Sequence, residues 1–426
     1  MEANPFVAPG PSPSRVDLLV VGGGVAGLTA AAFAARAGLR VELVDKSELG
    51  GRARTRRVDG FSLNLGAHAL YRNGPAARVL EALRVPTPGA RVPALGQALV
   101  EGVLHALPVG PLSMLTTGVL DASGKLELAR LMVWLRGADL RPVAGRTVAE
   151  VLDARVQHPG VRAFALGLMR VATYDPSPEH LCAAVGLGQM RRATFDGVTY
   201  VDGGWATLVE GLADVGRTLG VRLHERARVG EVVAVRDGFR VAIGDEERVA
   251  RTVLVAAPPR VAKELFPSLA LPHAEEVRAA CLDVALGAVP CPRNRFVMGL
   301  DAPVYYSLHS AVARLAPEGG GVAHLLRYGD PVEGGEAELR ALLERMQPGA
   351  PIVEARYLPR MTVSHHRPTA TSGGLAGRAA VVTSLPGVFL AGDWVGDDAL
   401  LADAAFASAA LAAESAALFV RARRAA

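Results

Sequence analysis

The sequence predicts an α/β fold in which a dinucleotide-binding domain, assembled from separate stretches of chain, is interleaved with a second, α+β domain. Three observations carry this expectation. An apolar run, Val16 to Val21, leads directly into the glycine-rich turn Gly22 to Gly27 and a helix of small residues. Near the other end of the chain, Gly387 to Asp393 forms a second apolar run that enters Ala391-Gly392-Asp393, again followed by a small-residue helix. The 426 residues are also too many for one compact core.

The first strand, Val16 to Val21 (VDLLVV), is a short run that is apolar but for Asp17, as a buried parallel strand should largely be. Gly22, Gly24 and Gly27 then fill the three positions of G-x-G-x-x-G, with Val25 and Ala26 between the last two. The first glycine permits the tight turn, the second lets backbone approach a pyrophosphate, and the third lets the helix pack close to the strand. A helix from Leu28 to Ala37 follows, closed by Gly38, and its N-terminus offers free N–H groups to phosphate. The next strand, Arg40 to Val44, ends in Asp45 beside Lys46. An acid at this distance can accept hydrogen bonds from ribose hydroxyls and disfavours a 2′-phosphate. The strand, turn, helix and acid together make the Rossmann arrangement a far stronger signal than the glycines alone.

The chain then departs from an ordinary NAD domain. Leu49 to Arg54 reads LGGRAR, where Gly50 and Gly51 permit a second close backbone approach and Arg52 can neutralise phosphates with a forked hydrogen-bond pair. Asn64-Leu65-Gly66-Ala67-His68 follows. Val16 to Tyr71 thereby resembles the superfamily of FAD-dependent amine oxidases, protoporphyrinogen oxidases and phytoene desaturases. The resemblance implies a fold of the glutathione-reductase type and a non-covalent FAD. It implies that Leu65, Gly66 and Ala67 run beside the flavin ring, with His68 next to it. Ala391-Gly392-Asp393 resembles the family's second FAD motif, in which the aspartate bonds the ribityl chain and the next helix, here around Ala404, points its N-terminus at the flavin. Such a helix end can stabilise negative charge on reduced flavin. Ala404 and Ala409 depart from the pattern, standing where the family often has glycine. Val229 matches the residue whose backbone meets adenine. The strand Val253 to Pro259 matches one that returns to the FAD domain, and Gly203-Gly204-Trp205 resembles the family's lead-in to a helix. The implied FAD domain comprises residues 16–71, 200–264 and 369–426.

Residues 72–199 and 265–368 remain for a substrate domain of mixed or antiparallel sheet with a helical cap. Helices are predicted at Leu126 to Leu135 and Val161 to Val171, and another starts at the capping box of Thr147 and Glu150. Strands are predicted at Pro303 to Leu308 and Val322 to Tyr328. Of the adjacent Tyr305 and Tyr306 only one can face a pocket, and Tyr305 is the substrate candidate together with Trp394, which otherwise packs. His68 either carries a proton or orients substrate beside the flavin, or it only packs there. His365-His366 lacks a third ligand at metal spacing and reads as surface or packing histidines.

Composition narrows the function classes. Half the residues are hydrophobic and mean hydropathy is +0.25, much of it alanine. No stretch offers the roughly 18–20 uninterrupted apolar residues needed to cross a bilayer. Residues 1–15, rich in Pro, Ser and Gly, read as a disordered lead-in rather than a signal peptide. A cytoplasmic location is the default expectation. The apolar helices before Gln189 serve either to cap a pocket or to touch a membrane peripherally. The net charge of +4 is small, and the basic runs at Arg52–Arg57 and Arg421–Arg424 lack interleaved aromatics, so no nucleic-acid partner is expected. Cys182, Cys281 and Cys291 are scattered and odd in number, so neither a disulfide framework nor a metal is expected.

The expected activity is FAD-dependent dehydrogenation of a hydrophobic small molecule, isoprenoid or polycyclic, by hydride transfer to flavin N5. The electron acceptor, oxygen or a quinone, is not encoded in any motif. Amine oxidation is the alternative. The resembling amine oxidases place a lysine near N5 from the second half of the chain, whereas lysine occurs here only at Lys46, Lys125 and Lys263. They also frame the amine with aromatics, and the chain is only 5% aromatic. Two further readings are an escort protein without redox work, disfavoured by the intact FAD motifs, and a flavin-dependent isomerase.

Overall fold

The computed structural model describes residues 15–425. The expected lead-in therefore lies outside the described residues, apart from Arg15, which opens the first strand. That strand, Arg15–Val21, is the centre of a seven-stranded sheet. Its parallel neighbours are Val41–Val44 on one side and Glu246–Val255 on the other. Arg222–His224 extends the sheet in parallel beyond Val41–Val44. The long strand Glu246–Val255 serves two partners. Its first half pairs antiparallel with Gly238–Ile243, and its last three residues pair in parallel with Val388–Leu390. The central segments of the sheet, 16–21, 41–44, 253–255 and 388–390, are buried and, apart from Asp17 and Glu42, apolar, because helices cover them, Val25–Arg36 and Leu401–Ala425 among them. These two helices pack closely through small residues. Ala30 and Ala31 on the first, and Ala409, Ala412 and Ala416 on the second, are 0–1% exposed.

The second sheet is also seven-stranded and mostly antiparallel, in the order Ile352–Ser364, Val277–Leu286, Gly321–Tyr328, Val304–Leu308, Phe296–Gly299, Gln97–Val100 and Val103–Ala106. Only the pairing of Phe296–Gly299 with Gln97–Val100 is parallel. One end carries the helices Ala122–Gly137, Pro159–Thr173 and Ala183–Arg191, whose buried faces share a core with Ala98, Met298 and Leu300 of the sheet. The capping box at Thr147 and Glu150 is present and starts the helix Val148–Asp153.

One boundary needs correction. The helix Pro75–Ala82, placed in the second domain by sequence, packs Ala76 and Leu80 into the nucleotide-domain core. Its N-terminal amide at Ala76 is capped from the C-terminal helix by Asp403 at 2.9 Å, a long-range contact with no local signal. The C-terminal helix is also the one helix, among the described residues, long and apolar enough to cross a bilayer. In this fold 61% of its most apolar window is buried against protein, as a core helix requires.

Candidate active site

A cavity of about 1840 Å³ lies between the two domains. That exceeds the roughly 300–1,000 Å³ of a single-ligand pocket, so it has room for a dinucleotide and a second molecule together. One end opens at the C-terminal ends of the central parallel strands, where α/β sheets bind nucleotides, and is lined by Gly22, Gly24, Val25, Ala26, Asp45, Lys46 and Val229. The other end lies under the helical cap.

The glycine turn has the form its spacing predicts. Gly22 has φ +109°, and a Cβ there would lie 2.5 Å from the Ala256 carbonyl oxygen. A Cβ on Gly27 would meet the Gly22 oxygen at 1.8 Å, so only glycine lets the helix start this close to the strand. Gly24 differs: its Cβ would meet nothing nearer than the Gly50 oxygen at 3.9 Å, on a residue that lines the cavity. This is the cradle a pyrophosphate needs. The second glycine turn abuts the first. Gly50 N donates to Gly23 O at 2.7 Å, and Gly51 lines the cavity beside it. Asp45 lines the cavity while accepting from the backbone N–H of Gly23 (2.6 Å) and Ser47 (2.7 Å), which fixes its carboxylate. Trp205 adds a further sign of fit: it is buried, lines the cavity, and its indole N–H has no acceptor within the described protein.

Arg52 and Asp393, assigned by sequence to different parts of the ligand, are joined. The guanidinium forks onto the carboxylate at 2.7 and 3.1 Å and donates to the Val363 carbonyl at 2.8 Å. The expectation that Arg52 uses its fork on phosphates is therefore corrected: that fork holds Asp393. His365 completes the cluster through its backbone N–H (2.9 Å) and Nδ1 (3.0 Å), both to Asp393. His365 lines the cavity and was missed as a site residue, because only folding brings it to Asp393. Burial would raise the Asp393 carboxyl, but Arg52 and His365 hold it well below the usual carboxylate range. Gly392, with φ +150°, lines the cavity next to it; Ala404, expected at the flavin, is instead wholly buried off the cavity, which its helix reaches through Ala402, Asp403 and Ala405.

Leu65, Ala67 and His68 line the cavity, whereas Gly66 turns toward the second sheet. His68 Nδ1 donates to the Gly66 carbonyl at 3.0 Å, which leaves Nε2 as an acceptor, and its ring lies 4.8 Å from Trp205. Burial pulls the imidazole down to about 4, so His68 is neutral at neutral pH. Tyr305 lines the cavity while Tyr306, on the opposite face of its strand, bonds Gln347 in another core. Trp394 belongs to the nucleotide-domain core and donates its indole N–H to Ala257 O at 3.1 Å. It also lines the cavity beside Asp393, so it both packs and forms part of the cavity wall.

Under the cap, Met132, Phe164, Leu168, Val171 and Met298 form an apolar wall. Five of the seven tyrosines, Tyr71, Tyr174, Tyr200, Tyr305 and Tyr328, line the cavity as well. Burial raises all five phenols, so they are neutral hydrogen-bonding groups. No cysteine lines the cavity, and Lys46, at the nucleotide end, is its one lysine. Cys281, Asp283 and His324 lie close enough together to hold a metal ion. Arg356 and the Gly66 N–H already occupy one oxygen of Asp283, and burial beside that carboxylate keeps the thiol protonated. The three are accordingly a hydrogen-bonded cluster.

Comparisons with known proteins agree with this geometry. Residues 25–283, more than half the chain, match the family model described as flavin containing amine oxidoreductase. The chain is 27% identical over 293 residues to a carotenoid 3,4-desaturase of Haloarcula japonica, covering 60% of this chain and 58% of that one. It is 36% identical over 170 residues to a coproporphyrinogen III oxidase of Propionibacterium freudenreichii, covering 37% and 32%. The matched stretches thus span less than two thirds of either relative. A solved oxidoreductase from Methanosarcina mazei superposes with a TM-score of 0.76 at 17% identity, over 94% of this chain and 99% of that one, which shows the fold. The doubled glycine turn, the cavity it opens into and the family match together place this chain in the flavin containing amine oxidoreductase family, with FAD as its non-covalent cofactor.

Proposed function

We propose that the protein is an FAD-dependent oxidoreductase that dehydrogenates a hydrophobic small molecule, of isoprenoid or polycyclic type, introducing a double bond. Bound FAD supplies a hydride acceptor at its N5. The nucleotide-side contacts fall to the backbone at Gly24, Gly50 and Gly51, to Asp45 and to the Arg52–Asp393–His365 cluster. The observation that carries the substrate class is the lining under the cap. Met132, Phe164, Leu168, Val171 and Met298 offer an apolar bed, and no carboxylate lies among the cavity residues of the cap helices. A cationic substrate there would be desolvated without a counter-charge, at a cost of several kcal/mol. His68 is a neutral acceptor at Nε2 and orients substrate; its depressed basicity makes it a poor proton acceptor at pH 7. The similarity to a carotenoid desaturase supports the same class.

Amine oxidation is a second reading, favoured by one observation. The tyrosines are few in the sequence yet gather at the cavity, with Tyr174 and Tyr328 edge to face at 6.0 Å. The two readings part in an anaerobic assay that follows bleaching of the oxidised flavin band. Polyenes or polycyclic apolar compounds should bleach it and simple primary or secondary amines should not. Bleaching by amines alone would overturn the proposal. Return of the band on admitting air, or only on adding a quinone, identifies the electron acceptor.

An insoluble substrate needs a source, and the cavity mouth supports peripheral contact with a lipid surface. Positions 102–120 contain no Asp, Glu, Lys or Arg. Within them the short helix Pro111–Thr116 buries none of its residues: Leu112 and Leu115 are 74% and 75% exposed, while Pro111 and Met114 line the cavity. Leu95, 64% exposed, lies on the same rim. A cytoplasmic, membrane-peripheral location fits this reading.

A further inference from the structure

The turn Asn64–His68 forms one wall of the cavity; besides local backbone bonds, Leu65 N–H to Arg54 O at 3.2 Å and Gly66 N–H shared with Asn64 O at 3.0 Å, it is held by side chains far away in sequence. Gly66, with φ +85°, turns its N–H toward Asp283 Oδ2 at 3.2 Å. Arg356 Nη2 donates to the Asn64 carbonyl at 2.5 Å. Tyr174 OH donates to the Ala67 carbonyl at 2.8 Å. Asp283 and Arg356 are register partners on the adjacent antiparallel strands Val277–Leu286 and Ile352–Ser364, and they are bonded to each other at 2.6 Å. A carboxylate thus takes the turn's N–H, and the guanidinium paired with it takes a carbonyl two residues earlier. Asp283 is wholly buried and is fixed from behind by His324 Nδ1 at 2.6 Å and by the Cys281 thiol at 3.1 Å. None of Cys281, Asp283, His324 and Arg356 lines the cavity, so the cluster acts through the turn and not on the ligand.

We propose that Asp283, paired with Arg356, is a positioning residue that clamps the turn Asn64–His68 from the second sheet and so sets where Ala67 and His68 stand against the cofactor. A buried ion pair is a poor way to gain stability, since an apolar pair of similar volume often does better. It is a good way to fix a turn, because its two charges require one N–H and one carbonyl at defined places. This clamp also ties the nucleotide domain to the floor of the substrate domain. The inference rests on FAD occupying the cavity, and the test keeps the two apart.

The first measurement is hydrogen exchange at the Gly66 amide in the FAD-free protein, which needs neither cofactor nor substrate. In Asp283→Asn, exchange of residues 64–68 should rise by about tenfold, the weight of one hydrogen bond to a charged group. The second is on the FAD-loaded protein. The visible bands and midpoint potential of bound flavin should shift, and kcat should fall by more than KM rises, because the apolar substrate bed lies under the cap and only the His68 contact is displaced. The double variant Asp283→Asn/Arg356→Gln keeps an acceptor for Gly66 and a donor for Asn64 without burying a lone charge. It should restore protection of the turn, and it stands in if the single variant does not fold. Asp17→Asn, which breaks a buried ion cluster at the far end of the first strand, is the control for general loss of stability. Exchange at 64–68 and a flavin spectrum like wild type in Asp283→Asn, a double variant that leaves the turn unprotected, or changes no more local than those of Asp17→Asn, would overturn the proposal. Failure of the wild type itself to take up FAD would instead sink the cofactor assignment.

Discussion

Single residues at this site carry two kinds of constraint. Gly22 and Gly27 are glycines because protein atoms fill the space a Cβ would take, at 2.5 and 1.8 Å. Gly24 is a glycine although the protein leaves room, with only Gly50 O at 3.9 Å, so its constraint comes from the ligand. This predicts a split. Gly27→Ala should impair folding itself, by about 3 kcal/mol or more from a clash no side chain can relieve. Gly24→Ala should leave the thermal midpoint within about 2–4 °C of wild type while FAD content after purification falls at least roughly tenfold, because the methyl group stands where the pyrophosphate backbone passes. Retention of full FAD by Gly24→Ala would show that the phosphates lie elsewhere. The spacing made these glycines legible from sequence. Arg52 was legible as a site residue but not in its partner, since Asp393 lies 341 positions away and nothing local marks the pair.

Among the elements, the strands and helices with a clear period stand close to where the sequence puts them. The predicted helix Val161 to Val171 lies inside Pro159–Thr173, and the strand Val322 to Tyr328 inside Gly321–Tyr328. The helix Pro111–Thr116 has no such signal. It is short and has no buried residue, touching the rest of the protein through Met114 and through the Leu115 carbonyl, to which Lys125 Nζ donates at 3.0 Å. Its role at the cavity rim follows from two leucines that pack on nothing. Replacing Leu112 and Leu115 together with Asp should leave folding nearly unchanged, within about 0.5 kcal/mol each as for exposed sites. Co-sedimentation with phospholipid vesicles should fall several-fold, as should turnover of a substrate presented in them, with turnover of a detergent-dispersed substrate preserved. Equal vesicle binding by wild type and the double variant would remove this rim as a lipid contact. The helix Pro75–Ala82 teaches the converse lesson. Its own sequence offers no side-chain cap, and Asp403 supplies one from the C-terminal helix. Burial lifts that carboxyl to about 6.

For the molecule as a whole, the buried histidines set the response to acid. His68 and His366 are pulled to about 4 by burial, and burial takes His309 well below the ordinary imidazole range. In the unfolded chain they take up protons near 6.5, whereas the folded chain cannot until pH 4 or lower. The unfolded state therefore binds more protons across this window, and stability falls as pH drops from about 6.5 toward 4. His68 alone accounts for about 2 kcal/mol at pH 5 on that linkage. Asp403 opposes this between about 6 and 3.8, since its raised carboxyl takes its proton first in the folded state. One carboxyl is outweighed by three imidazoles. The urea midpoint should accordingly be clearly lower at pH 5 than at pH 7.5, and identical midpoints would contradict the burial of these rings. The depressed carboxyls of Asp283 and Asp393 add a loss only below pH 3.8, once they are forced to protonate.

The cofactor and the architecture around it were readable from the chain alone, because the phosphate turn is local. A strand, three glycines at fixed spacing, a helix start and an acid lie within some 30 residues, the span of one βαβ unit, and their geometry follows from backbone sterics. The same holds for Ala391-Gly392-Asp393 after its apolar strand. Composition could not show where the few aromatics gather: a chain 5% aromatic places five of its seven tyrosines around one cavity, which no frequency can reveal. The turn Asn64–His68 could be located from its motif, but not what holds it. Asp283 and Arg356 meet only because the strands Val277–Leu286 and Ile352–Ser364 pair in one register, and His324 joins them from a third strand. Register between distant strands is set by the packing of whole sheets, so this buried charge cluster, and the grip it has on the cavity wall, exists only in the folded molecule.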